Sequence, residues 1–156
     1  MTDLYPPEVR SRVMSRIRKR DTKPELLLRA ALRRAHVTGW RSRTTLPGTP
    51  DIVLPKVKIA IFVDGCFWHA CAWCAIPAPR SNRSYWLPKI ARNVRRDRRV
   101  RRQLRAIGWS TLTIREHQVL KCPAACALRI QRRVAARLRS MPPRRSEPRP
   151  ALAPSR

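Results

Sequence analysis

Apolar positions recur along this chain in two rhythms, one helical and one alternating, and the changes between them mark the elements. Leu27, Leu28, Ala31, Leu32 and Ala35 keep helical spacing, which predicts a helix from Thr22 to about Arg34 with one inward face. Thr22 is its expected N-cap, Pro24 is tolerated in the first turn, and Glu25 stands where a capping box closes. Gly39 lies beyond its end. Upstream, residues 1–21 read as a basic arm in which Val9, Val13, Met14 and Ile17 outline a short helix from Glu8 to Arg18.

The period changes after Trp40. Pro47, Gly48 and Pro50 punctuate the chain, and two β-branched runs follow, Asp51 to Leu54 and Lys58 to Val63, joined at Pro55-Lys56-Val57. This predicts a hairpin in a central sheet. Residues 64–84 have no regular period and carry Cys66, Cys71 and Cys74 among aromatic side chains. Helical spacing returns from Tyr85 to Ile107 through Leu87, Ile90, Val94 and Leu104, with Gly108 as a C-cap. Trp109 to Ile114 reads as a further strand and Pro123 to Leu138 as a further helix. Prolines alternating with arginine from Met141 onward cannot build a core, so residues 141–156 read as a disordered tail and 22–140 as the folded domain.

Composition adds a partner class. The chain of 156 residues holds 36 Lys and Arg against 9 Asp and Glu, a formal net charge of +27. That length bounds one domain, and an apolar content of 43% is ordinary for a globular core. The apolar run Ile59 to Val63 is far shorter than a spanning helix, and no secretory signal is visible. Five Cys, an odd number, then read as thiols or metal ligands of a reducing cytoplasm before disulfides. A positive surplus of this size is most commonly compensated by a polyphosphate, so nucleic acid is the expected partner; an arginine preference of the organism or acidic lipid is the bland alternative. Acids are so scarce that each one invites a reason.

Asp51 follows Pro50 at the mouth of the hairpin, and Glu25 sits in the first turn of the preceding helix. A helix followed by Pro-Asp opening a hairpin is the outline of the PD-(D/E)xK nuclease core, whose carboxylates hold Mg²⁺ beside the scissile phosphate. Asp51 also suits a turn cap, and the capping box is a complete structural explanation for Glu25. The acid and lysine that usually follow on the second strand are absent. Val63 and Asp64 stand there instead, so a ligand at that place is Asp64 or a backbone carbonyl.

Cys66, Cys71 and Cys74 can occupy three corners of a zinc tetrahedron, and His117 is the candidate for the fourth, in competition with Cys122 and Cys126. Such a site would pin an irregular loop to the sheet. Phe67, Trp68, Tyr85 and Trp86 adjoin an arginine-rich helix and suit wedges between base pairs, although for any one ring a place in the core is the commoner reading. His69 suits a general acid or base, a metal ligand or a core histidine. Asp97 is the lone acid in the arginine run and is expected to be partly buried, orienting Arg98, Arg101 or the site.

Taken together, Pro47-Gly48-x-Pro50-Asp51, Val63-Asp64-Gly65-Cys66-Phe67-Trp68-His69, Tyr85-Trp86-x-x-Lys89-Ile90, Asn93-Val94-x-Arg96-Asp97-Arg98 and Gly108-Trp109 resemble the very-short-patch repair endonucleases from about Met14 to Leu120. The resemblance implies a restriction-endonuclease-like α/β fold, a central mixed sheet flanked by helices with a structural zinc. It implies Mg²⁺-dependent nicking 5′ to the T of a T·G mismatch in double-stranded DNA, the lesion left by deaminated 5-methylcytosine. On that basis Asp51 is the main Mg²⁺ carboxylate, the Val63 carbonyl completes its shell, His69 acts at the attacking water or leaving oxygen, and Glu25 meets a metal-bound water. Phe67, Trp68 and Trp86 become a major-groove wedge and Met14 reaches the other groove. Lys89, Asn93 and Arg96 join them at the DNA, and zinc maps onto Cys66, Cys71, Cys74 and His117. Asp64 departs from the pattern, since some relatives carry a catalytic-looking His there; it is expected to serve as a proton-transfer group or as another metal ligand. A monomer in the bacterial cytoplasm, associated with the nucleoid, is expected, and a mismatch-repair protein stands as a candidate partner. The alternatives are a nuclease of the same fold with a different DNA target and a zinc-stabilised DNA-binding protein without catalysis.

Overall fold

A computed structural model describes residues 20–77 and 83–141. Met14, the short helix from Glu8 to Arg18 and the Pro-Arg tail after Met141 lie outside the described residues. Within them the order is α1 (Lys23–Arg34), β1 (Ile52–Leu54), a 3-10 turn (Pro55–Val57), β2 (Ile59–Asp64), α2 (Arg83–Ala106), β3 (Ser110–Arg115), α3 (Glu116–Lys121) and α4 (Pro123–Ser140). The mixed sheet runs β1-β2-β3. The predicted hairpin forms, with Ile52 opposite Ile61 and Leu54 opposite Ile59, and β3 joins β2 in parallel, from Ile59 beside Ser110 to Asp64 beside Arg115. A parallel partner needs a long crossover, which α2 supplies.

Alternation along the strands splits the core in two. Ile52, Leu54, Ile59, Ile61 and Ile114 face Leu28 and Leu32 of α1 and Ala127 and Ile130 of α4. Val53 and Ala60 face the other way, onto Val100 and Leu104 of α2. Both faces are therefore covered, and most of the arginine-rich surface of α2 is left to solvent. No helix among the described residues is long and apolar enough to cross a membrane.

Two glycines hold the connections. Pro47 and Gly48 occupy the centre of a turn closed by the Thr49 N–H donating to the Leu46 carbonyl at 3.0 Å, with Gly48 at φ +73°, as a type II turn requires. At the end of α2, Gly108 at φ +80° donates to the Arg105 carbonyl and Trp109 to that of Leu104, a Schellman closure.

One helix exceeds the pattern-based expectation. Glu116–Lys121 is helical where the sequence suggested only a link between a strand and a helix. Its signal was Gln118, three residues after Arg115, whose Oε1 accepts from the Arg115 N–H at 3.0 Å in a capping arrangement.

A Cβ added at Gly48 would lie 2.3 Å from Val100 Cγ1, and the positive φ adds strain. Gly48→Ala is therefore expected to destabilise the fold by about 1–3 kcal/mol in urea unfolding, and a second change, Val100→Ala, to relieve the steric part of that loss.

Candidate active site and metal centre

A cleft of about 660 Å³ opens at the end of the sheet where β1 begins and β2 ends. Glu25, Asp51, Val63, Asp64 and His69 line it, together with Lys89, Asn93 and Arg96 from α2. The antiparallel register explains the pairing at its centre. Asp51 precedes β1 and therefore lies across from the end of β2, where its Oδ2 accepts the Val63 N–H at 2.7 Å. Burial pushes the Asp51 carboxyl up to about 6, against the lowering effect of the Val63 N–H; the neighbouring Glu25 and Asp64 charges add to the rise. A carboxylate that resists ionising among other carboxylates is a place for a hard cation.

His69 and Asp97 form a pair. The imidazole Nδ1 lies 2.5 Å from Asp97 Oδ2, and since the carboxylate can only accept, the proton is assigned to Nδ1 and Nε2 is left as the basic nitrogen. Asp97 thus meets the expectation that it orients the site, through His69 rather than through Arg98 or Arg101. Arg96 approaches its other oxygen at 3.4 Å.

Glu25 is only 4% exposed and is occupied as a cap. Its Oε1 accepts from the Thr22 hydroxyl at 2.7 Å and from the Thr22 N–H at 3.4 Å, and its Oε2 accepts from the Asp21 N–H and from Arg29, both at 3.0 Å. The capping role is observed, and the cleft still reaches this side chain. Asp64, 5% exposed, accepts from Arg101 at 2.9 Å and Arg115 at 3.5 Å through Oδ2. Neither arginine was marked by a motif as part of the site. The signal available was only that an acid in so basic a chain must find a cation.

Phe67, Trp68 and Trp86 do come together, with ring centroids 4.9 to 5.7 Å apart. Phe67 and Trp68 are half-buried, whereas Trp86 is 3% exposed and lies beneath them as their support. Lys89 extends over Trp68 and Trp86 at 5.4 and 5.5 Å and donates to the Tyr85 hydroxyl at 2.8 Å. Asn93 Nδ2 donates to the Trp68 carbonyl at 3.3 Å, so α2 holds the aromatic loop from below.

Behind His69 the loop turns into a cluster of three thiols and an imidazole. His117 Nδ1 lies 3.2 Å from Cys66 Sγ, 3.6 Å from Cys71 Sγ and 3.2 Å from Cys74 Sγ. A tetrahedral zinc with bonds of about 2.3 Å to sulfur and 2.0 Å to nitrogen sets those atoms roughly 3.6 Å apart, close to what is seen. The cluster is thus compatible with a bound metal. Desolvation and the two neighbouring thiols push Cys74 up to about 12, while backbone N–H groups of Cys74 and Trp73 lower Cys71. Without a cation the thiols cannot ionise together. Cys122 is exposed and Cys126 is buried in the core, so His117 and not this pair completes the cluster. Glu116, next in the chain, accepts the Cys66 N–H at 3.1 Å.

Protein purified without chelator is expected to carry one equivalent of zinc by elemental analysis. Its removal should lower the melting temperature, and Cys71→Ser should reproduce that loss. In protein free of divalent cation, Asp51 adds a second dependence. Its folded pKa lies above the ordinary 3.8, so the stability it contributes is full below about pH 4 and is lost as pH rises through about 6. Asp51→Asn should flatten that fall in unfolding free energy.

Comparison with known proteins places this geometry. A family model described as DNA mismatch endonuclease Vsr matches residues 2–75. The chain is 41% identical over 117 residues to the Type II nicking enzyme V.XorIIP of Xanthomonas oryzae, covering 73% of this chain and 84% of that one. It is 38% identical over 137 residues to the Type II nicking enzyme V.NmeAIP of Neisseria meningitidis, covering 86% and 95%. With the DNA mismatch endonuclease Vsr of Escherichia coli it shares 37% identity over 131 residues, covering 83% and 77%. The mixed sheet, the cleft at its end and the cysteine-histidine cluster are thus those of a chain that belongs to the Vsr family of endonucleases, enzymes that act on DNA.

Proposed function

We propose that this chain nicks one strand of duplex DNA 5′ to the T of a T·G mismatch, using Mg²⁺ at Asp51 on a PD-(D/E)xK-type core. The observation that carries the reading is the meeting of Asp51, the end of β2 and the His69–Asp97 pair in one cleft that Trp68 also lines, with Phe67 packed against its ring. The relatives, two nicking enzymes and a mismatch endonuclease, support it. Residues 22–140 form the endonuclease domain in this reading, with 1–21 as a DNA-contacting arm carrying Met14 and 141–156 as a basic tail that adds non-specific affinity.

The donors fit a hard cation: Asp51 is a carboxylate whose pKa is raised by burial and further by its acidic neighbours, and the Val63 backbone, whose N–H it accepts, lines the same cleft. Asp51 and Val63 would hold the Mg²⁺, which supplies Lewis-acid stabilisation of the phosphate and a more acidic water. The chain's own groups do the rest. Asp97 keeps the His69 proton on Nδ1, so Nε2 takes a proton from the attacking water or returns one to the leaving oxygen. Glu25, fixed by its cap, faces the same cavity as the acceptor for an ordered water. Phe67 and Trp68 enter the stack at the mismatched step, where unstacking costs about a few kcal/mol and is least for a mispair. Trp86 and Lys89 brace those rings from below, and Asn93 and Arg96 stand where backbone phosphates pass. The zinc set of Cys66, Cys71, Cys74 and His117 keeps this loop in place.

The test is a nicking assay with Mg²⁺ on two end-labelled duplexes, one carrying T·G in a cytosine-methyltransferase site and the other the matched C·G pair. Wild type should nick the T strand of the mismatch only. Asp51→Ala should lower the rate by at least about a hundredfold while duplex binding is retained. Equal cutting of both duplexes would favour a nuclease of the same fold with another target, and binding without cutting would favour a DNA-binding protein.

A further inference from the structure

Asp64 ends β2 at the cleft, opposite Arg115 in the parallel register. One oxygen, Oδ2, accepts from both Arg101 and Arg115 and lies 3.9 Å from His69 Nδ1. A buried carboxylate with two guanidinium partners is already compensated. Asp64, His69 and Asp97 stand close enough to share a cation, but one seeking Oδ2 of Asp64 meets two fixed positive charges and would have to displace one of them.

The two arginines differ in what else they reach. Arg115 Nη1 also donates to the His69 carbonyl at 3.3 Å, which ties β3 to the loop carrying the imidazole. Arg101 comes from α2, is 24% exposed at its side chain, packs 5.9 Å over the Phe62 ring and lines the cleft. Its Nη2 is taken by Asp64, and its buried Nε has no partner among the described residues. Lys89 is engaged by three aromatic rings, Arg96 stands 55% exposed at the edge, and Arg20, which also reaches the cleft, is exposed. Of the cations in the cleft, Arg101 is therefore the one anchored by a buried carboxylate with donors left over. The other groups at the centre, Asp51, Glu25 and Asp97, are acids that repel a phosphodiester. A phosphate brought there needs a fixed counter-charge, and a pre-oriented guanidinium suits it better than a mobile ammonium.

We infer that Arg101 grips the phosphate to be cut, and that Asp64 is the positioning residue that holds this guanidinium in place rather than a metal ligand. The inference rests on the proposed nicking function. It reassigns a position where the chain departs from some relatives: charge on Asp64 serves the phosphate through Arg101, not the metal directly.

The test pairs protein and substrate changes. A T·G duplex is prepared with either the native phosphate or a neutral methylphosphonate 5′ to the T, and binding is measured in metal-free buffer. For wild type, neutralising that phosphate should weaken binding about tenfold; for Arg101→Met it should matter less than about twofold, with Arg101→Lys between them. In Mg²⁺ the native duplex should be nicked about a hundredfold more slowly by Arg101→Met. Asp64→Asn should slow nicking about tenfold while the half-saturating Mg²⁺ concentration stays within about twofold of wild type. Full retention of the methylphosphonate penalty by Arg101→Met overturns the role of Arg101, whether or not Asp64→Asn folds. A tenfold rise in the Mg²⁺ requirement of Asp64→Asn overturns its role as a positioning residue. Either result beside a normally nicking wild type leaves the proposed function standing, whereas a wild type that neither nicks nor senses the phosphate removes that function and the inference with it.

Discussion

Negative charge is scarce in this chain, and its placement is the constraint on which the site depends. Of the nine acids six fall among the described residues: Asp21 is exposed beside Arg29, whereas Glu25, Asp51, Asp64, Asp97 and Glu116 gather in the cleft at the end of the sheet where β2 finishes. Each holds a hydrogen bond that places something else: Glu25 fixes the start of α1, Asp51 the edge of β2, Asp64 two arginines, Asp97 the His69 ring and Glu116 the Cys66 backbone. Buried carboxylates and guanidinium groups are unfavourable alone, and removing one partner typically costs about 3–5 kcal/mol. Their mutual dependence makes this end of the molecule rigid. It also leaves an acidic floor beneath basic walls, a field that draws a polyanion in and then offers a cation a seat beneath it.

The second support is polar rather than packed. Residues 65–77 lie outside strand and helix, and although many of them are apolar, Trp73 and Ile76 stay exposed and do not join the core. Their anchors come from elsewhere: His117 and Glu116 from α3, Arg115 from β3, and Asn93 from α2. The parallel pairing of β2 with β3 is what delivers them, because Asp64 beside Arg115 brings the residues following each strand together. A metal in the thiol cluster would lock this arrangement, and the aromatic rings and His69 sit on the same loop. Structural and chemical parts of the molecule are thus joined through a few residues at two strand ends.

Much of this was legible in the residues. Periodicity located the hairpin, α1, α2, β3 and α4 to within a few positions, since each has an apolar face at its own spacing and recognisable punctuation at its ends. Spacing of Cys66, Cys71 and Cys74 announced a metal cluster because thiolates so close together need one. The short helix α3 was hidden, as six residues carry too little pattern, and with it went the reason that His117 points at the thiols. Arg101 was indistinguishable from its neighbours in the arginine run, because sequence shows charge but not which guanidinium finds a buried carboxylate.

By itself, then, the sequence determined the elements, the basic character, the closely spaced cysteines and the family pattern, all of which are local properties of residue type and spacing. Only the tertiary structure decided what the acids do. That Asp51 lies against Val63, that Asp97 holds His69 and that Asp64 is bound to Arg101 and Arg115 follows from strand register and from one face of α2 packing on the sheet. Those partners are 12 to 51 residues apart for Asp51, Asp97 and Asp64, and a pairing over such distance is selected by burial of the whole core, which no local pattern records.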